Sequence, residues 1–103
     1  LVAVVGLELH GPFALLRSLA VSPRFRERGF ARSLVSFAES FAASCGVDTL
    51  FLLTTTAERF FLALGYQPVS RSAAPTVIQA TAQFASLCPV SSAFLSRRVA
   101  AAA

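Results

Sequence analysis

Residues 21–35 read VSPRFRERGFARSLV, and Arg24, Arg26, Arg28 and Arg32 surround a single glycine, Gly29. Pro23 ends the apolar run before this stretch, Phe13–Val21 (FALLRSLAV), which reads as a strand. Beyond Gly29, Phe30, Leu34, Phe37 and Phe41 recur at helical spacing, with Arg32, Ser36, Glu39 and Ser40 on other faces. This predicts a helix over residues 29–44 with those four as its apolar side, stopped by Gly46. A strand, a turn and a helix opening on glycine is a recurring device for binding phosphate. The first helical amides lack backbone partners, and the macrodipole adds partial positive charge there. Gly29 removes the side chain that would hold a diphosphate away, and Arg26, Arg28 and Arg32 supply charge-assisted hydrogen bonds. The stretch matches neither G-x-G-x-x-G nor the P-loop pattern.

Upstream, residues 1–10 (LVAVVGLELH) are β-branched at first and then alternate, which predicts a strand with one face buried. Gly11-Pro12 breaks it, and a tight hairpin there would set Glu8 opposite Leu15 and diagonal to Arg17 on one face. Downstream, Thr49–Thr54 (TLFLLT) is a nearly continuous apolar run, expected of a strand covered on both faces. Thr55 with Glu58 forms a capping-box signature for a short helix over residues 57–64, ended by Gly65. A brief strand is expected over residues 67–71. A helix should open at Pro75 and run to about Leu87, followed by a last strand over residues 93–99. The order β-β-α-β-α-β-α-β makes this an α/β (α+β) chain, a mixed sheet with helices packed on it, in a single domain over residues 1–103.

Apolar residues make up 55% of the 103 positions and charged ones 14%, which excludes intrinsic disorder. The first apolar run stops at Glu8, too short for a membrane span, and no basic region precedes it as in a secretory signal. The net charge of +4 comes wholly from arginine, and four of the nine arginines lie in the opening stretch. The positive field is therefore local and points to an anionic ligand. A nucleic-acid surface would spread its charge and interleave stacking aromatics, so no nucleic-acid partner is expected. Cys45 and Cys88 lack metal-ligand spacing and read as buried reduced thiols of a cytoplasmic protein. With His10 the only histidine, no metal is expected.

The opening stretch resembles the signature of the GCN5-related N-acetyltransferases (GNAT), V-x-P-x-[YF]-R-x-x-G-[IL]-[GA]. Val21, Pro23, Phe25, Arg26, Gly29 and Ala31 match, and Phe30 replaces the usual aliphatic residue. Ala57, Phe60, Phe61, Gly65 and Tyr66 fit a second block, A-x-x-F-[FY]-x-x-x-G-[FY]. The resemblance implies acetyl-CoA as co-substrate and a small-molecule amine as acceptor. Amides of Arg26, Glu27, Arg28, Gly29, Phe30 and Ala31, with Arg32 beside them, would hold the pyrophosphate. The backbone of Leu19, Ala20 and Val21 would pair with the pantetheine arm where the strands at residues 18–21 and 49–54 splay apart. A narrower likeness covers nearly the whole chain. GLELHGPFALLRSLAV, LFLLTTTAERFFLALGY and PTVIQATAQFASLCP are similar to the acetyltransferases of arsenic-resistance operons. That group is allied to enzymes acetylating the amine of amino-acid-like phosphinate or arsinate toxins.

Many relatives place a glutamate on a central strand as base, and Glu8 is the candidate here; its alternative is a solvent-facing residue paired with Arg17. Arg17, in turn, would grip an acceptor's carboxylate or phosphinate, or simply pair with Glu8. Thr54 stands where the family often has asparagine and is a candidate for substrate binding. Phe61 fills the position of the tyrosine that protonates the leaving thiolate in many relatives, and Tyr66 reads as packing. The chain opens on Leu1 in strand-like sequence, so it is expected to lack the N-terminal strand and helices of the family fold. Its first strand would then have a bare edge prone to self-association as a homodimer. The alternative function is a truncated fragment that binds CoA or self-associates without turnover.

Overall fold

The computed structural model describes residues 3–21, 29–54, 57–81 and 92–99. Strand β1 (Ala3–His10) turns at Gly11-Pro12 and returns as β2 (Phe13–Val21). Gly11, at φ 64°, takes the first central position of the two-residue turn, where a side chain would be strained. Helix α1 (Phe30–Ser44) carries the chain back to β3 (Thr49–Thr54), which pairs in parallel with β2. Helix α2 (Glu58–Ala63) follows, then a two-residue strand β4 (Gln67–Pro68) and a 3-10 turn at Arg71–Ala73. After these come a one-turn helix α3 (Thr76–Gln79) and strand β5 (Ala93–Arg98). β5 runs antiparallel between β3 and β4, so the five-stranded mixed sheet has the order β1-β2-β3-β5-β4. The expected fold class is the observed one.

The sheet has a core on each face. On one side Ala14, Leu16, Leu50, Leu52 and Leu95 pack with Val35, Ala38 and Ala42 of α1 and Phe61 of α2. On the other, Leu15, Phe51 and Phe94 pack with Ala74 and Ile78 around α3, and the Phe51 and Phe94 rings stack at 5.5 Å. Buried Leu50, Phe51 and Leu52 therefore serve both faces, as the continuous apolar run of β3 requires.

Four expectations are corrected. The inner face of α1 is Val35, Ala38 and Ala42, whereas Phe37 and Phe41 remain 65% and 46% exposed. The apolar arc of α1 is wider than one stripe, and its small side chains let the helix sit close to the sheet, so the large rings overhang the β1 edge. There, with Leu7 and Ala38, they line a cleft of about 300 Å³. The helix opened by Pro75 ends at Gln79, where buried Thr81 donates its hydroxyl to the Ile78 carbonyl (2.7 Å) and closes the turn. The brief strand stops at Pro68, because Ser70 to Ala73 turn away into the 3-10 segment. Cys45, expected to be buried, caps the C-terminus of α1 and is exposed; Cys88 lies outside the described residues.

Candidate active site

The site is built on an irregularity of the β1–β2 hairpin. Gly6 pairs with Ser18 but Leu7 pairs with Leu16, so Arg17 is an extra residue on β2, a β-bulge. On the other edge of β2, the parallel ladder with β3 runs only from Phe13–Thr49 to Leu16–Leu52, although β2 continues to Val21 and β3 to Thr54. Bulge and ladder end coincide. The two strands stop pairing at the residue where the bulge bends one of them, and a wedge of unpaired β2 backbone faces β3. Residues 19–21 keep their β1 partners (Val5–Leu19, Val4–Ala20, Ala3–Val21) and offer their other edge to that wedge. Among the described residues β3 does not pair with that edge, whose amides and carbonyls suit the amide-rich pantetheine arm.

Gly29 stands at the N-cap of α1 in the left-handed conformation (φ 76°, ψ 9°), and its carbonyl accepts from the Ser33 amide at 3.0 Å. Space around its Cα is open, so glycine is required here by backbone conformation. The first-turn amides, residues 30–32, have no helical partners, as a phosphate cradle needs. Arg26, Glu27 and Arg28 lie outside the described residues, and of Phe30 only the backbone is described. Arg32 is exposed and lines a polar groove of about 320 Å³ between α1 and α2, with Ser36, Glu39, Leu64 and Arg97. The unpaired strand edge, the free helix start and a flanking arginine together fit a pantetheine-diphosphate ligand.

Glu8 lies opposite Leu15, as alternation through the hairpin demands. Its Oε2 is 3.5 Å from Arg17 Nε, and its Oε1 is 2.9 Å from His10 Nε2. The carboxylate is 32% exposed and the guanidinium 51%, so the ion pair is partly solvated. Glu8 and His10, with Val77, Ala80 and Thr81 of the α3 segment, line a cleft of about 310 Å³ on the sheet face opposite α1. The sequence reading brought Glu8 and Arg17 together but passed over His10, although residues 8 and 10 share a face by strand alternation.

Thr54 Oγ1 accepts the Ala57 amide at 2.9 Å and so closes the start of α2. The capping role expected of Thr55 falls outside the described residues. Phe61 is buried, with its ring edge-on to Phe60 and Tyr66. Tyr66 is buried as well, and its hydroxyl donates to Glu39 Oε2 at 2.7 Å. Arg97 Nη1 holds the same carboxylate at 3.1 and 3.2 Å. Burial above all, then the hydrogen bond and negative charge of Glu39, pushes the Tyr66 phenol far above its ordinary range. A phenol so held packs the core, as the sequence implied.

Residues 1–68 match the acetyltransferase (GNAT) domain family. An uncharacterized N-acetyltransferase of Chlorobaculum tepidum is 38% identical over 65 residues, 63% of this chain and 41% of that protein. An amino-acid acetyltransferase of Pseudomonas syringae is 36% identical over 61 residues, 59% of this chain and 14% of that protein. The chain thus spans less than half the length of either relative. Among solved structures, N-acetylglutamate synthase from Neisseria gonorrhoeae, complexed with coenzyme A and N-acetyl-glutamate, superposes with a TM-score of 0.80. That match has 24% identity and covers 92% of this chain and 22% of the other, a likeness of fold. With well over half of its residues matched by that domain and its sheet carrying the same architecture, the chain belongs to the GNAT acetyltransferase family.

Proposed function

We propose that the protein transfers the acetyl group of acetyl-CoA to the primary amine of a small, amino-acid-like molecule. The reading rests on the wedge between β2 and β3, which opens at the bulge carrying Arg17 with Glu8 beside it. Residues 19–21 would pair with the pantetheine arm, the first amides of α1 with Arg26, Arg28 and Arg32 would hold the diphosphate, and the α1–α2 groove would take the nucleotide end. The acceptor approaches from the opposite face, through the cleft at Glu8.

An α-amino acid or its phosphinate or arsinate analogue carries one cationic and one anionic group, and Glu8 and Arg17 match them one to one. Binding exchanges the 3.5 Å internal ion pair for two intermolecular ones. Glu8 takes a proton from the ammonium, and the neutral amine attacks the thioester carbonyl. The new C–N bond forms as the C–S bond breaks, and the surplus amine proton passes to solvent. With Phe61 in the place of a tyrosine acid, the departing thiolate takes its proton from water. Proximity of amine and thioester supplies most of the rate, and the base adds roughly 10²–10⁴-fold. Resemblance to arsenic-resistance acetyltransferases and the named amino-acid acetyltransferase relative support an amino-acid-like acceptor. Cytoplasmic acetyl-CoA would be the donor, and a second copy pairing along the β1 edge is part of the same proposal.

Calorimetry with acetyl-CoA and a thiol-release screen over α-amino acids and amino phosphinates test this. Arg28→Glu and Arg32→Glu should each weaken acetyl-CoA binding by about tenfold, since each removes a charge-assisted contact and adds repulsion. Unchanged affinity in both variants would remove the cradle, and thiol release without any amine dependence would remove the transfer.

A further inference from the structure

Glu8 does not act alone. Read as the base, its carboxylate accepts, so in the 2.9 Å contact His10 Nε2 donates to Oε1. Arg17, at 3.5 Å from Oε2, balances charge without closing a short hydrogen bond. The two oxygens are thereby distinguished: Oε1 is held, and Oε2 keeps a lone pair toward the bulge. By register, His10 pairs with Phe13, three residues from the ladder end at Leu16. That is about 10 Å along the strand, too far to reach a thioester in the wedge. Whatever His10 does for acetyl transfer, it does through Glu8.

We propose that His10 is a positioning residue for Glu8, fixing Oε1 so that Oε2 receives the acceptor's proton. This rests on the reading of Glu8 as that base. The cleft wall across from the pair, Val77, Ala80 and Thr81, carries no charged side chain, so among the described residues Arg17 and His10 are the groups that hold the carboxylate.

The test compares wild type, His10→Gln, His10→Leu and Glu8→Gln, using acetyl-CoA and the α-amino acid that the screen finds turned over fastest. Glutamine keeps a donor for Oε1. At pH 8, H10Q should retain kcat within about threefold, whereas H10L loses about tenfold in kcat with KM within about twofold. An H10L enzyme with wild-type kcat, or an H10Q enzyme as impaired as H10L, overturns the role of His10. If Glu8→Gln meanwhile costs about 10²-fold or more, the base assignment survives that loss. A Glu8→Gln enzyme of wild-type kcat, or no turnover of any α-amino acid, overturns both.

Discussion

Tyr66, the only tyrosine in the chain, joins two elements far apart in sequence through Glu39 on α1, and Arg97 on β5 grips the same carboxylate. Replacing Tyr66 with phenylalanine removes a buried hydrogen bond to a charged group and should cost about 1.5–3 kcal/mol in urea denaturation. The raised phenol pKa also sets a pH dependence. Above about pH 10 the unfolded chain loses this proton while the folded chain keeps it, so stability falls as pH rises. Alkaline denaturation followed by phenolate absorbance should show the phenol ionising only as the protein unfolds, and Y66F should lack that part of the decline. Other residue-scale features were legible to different degrees. Gly29 could be read from sequence because a helix start amid arginines needs an open backbone, and the Glu8–Arg17 pair followed from alternation once the hairpin was fixed. His10 was not read as a partner of Glu8, although strand alternation sets the two on one face of β1. Thr54 accepts the Ala57 amide through its hydroxyl, a contact that backbone geometry at the end of β3 sets.

Helix α1 shows why size is a poor guide to which side of a helix faces inward. Its phenylalanines recur at helical spacing, yet Ala38 and Ala42 meet the sheet, since small residues allow the closest approach. Ala38→Leu should therefore destabilise by about 1–3 kcal/mol through overpacking. Phe37→Ser, despite deleting a far larger apolar side chain, should change stability by less than about 1 kcal/mol. Chemical denaturation of the two variants side by side checks the inversion. β3 gave no such difficulty, because an uninterrupted apolar run bounded by threonines suits only a strand covered on both faces. α3 was overextended: Thr81 is an ordinary helical residue by composition, yet its hydroxyl turns back onto the Ile78 carbonyl in a local bond that competes with the helix.

The mixed sheet followed from the alternation of hairpin and crossover connections, but β5 inserting between β3 and β4 is set by packing across the whole molecule. β1 lies at the edge of that sheet, and the Leu7–Phe37–Phe41 cleft continues its apolar surface. Sedimentation velocity over a concentration series should show self-association that a Phe37→Ser, Phe41→Ser double variant reduces at least severalfold in affinity. The bulge was the least legible feature, since nothing about Arg17 and Ser18 marks an extra residue in a strand. It also gives this fold an unusual point of failure. Dropping one residue at position 17 would leave both cores with all of their side chains, yet it would let the hairpin zip straight and carry β2 alongside β3 to its end. A lineage could thus lose the donor's entrance through a three-nucleotide deletion and still make a stable, well-folded protein.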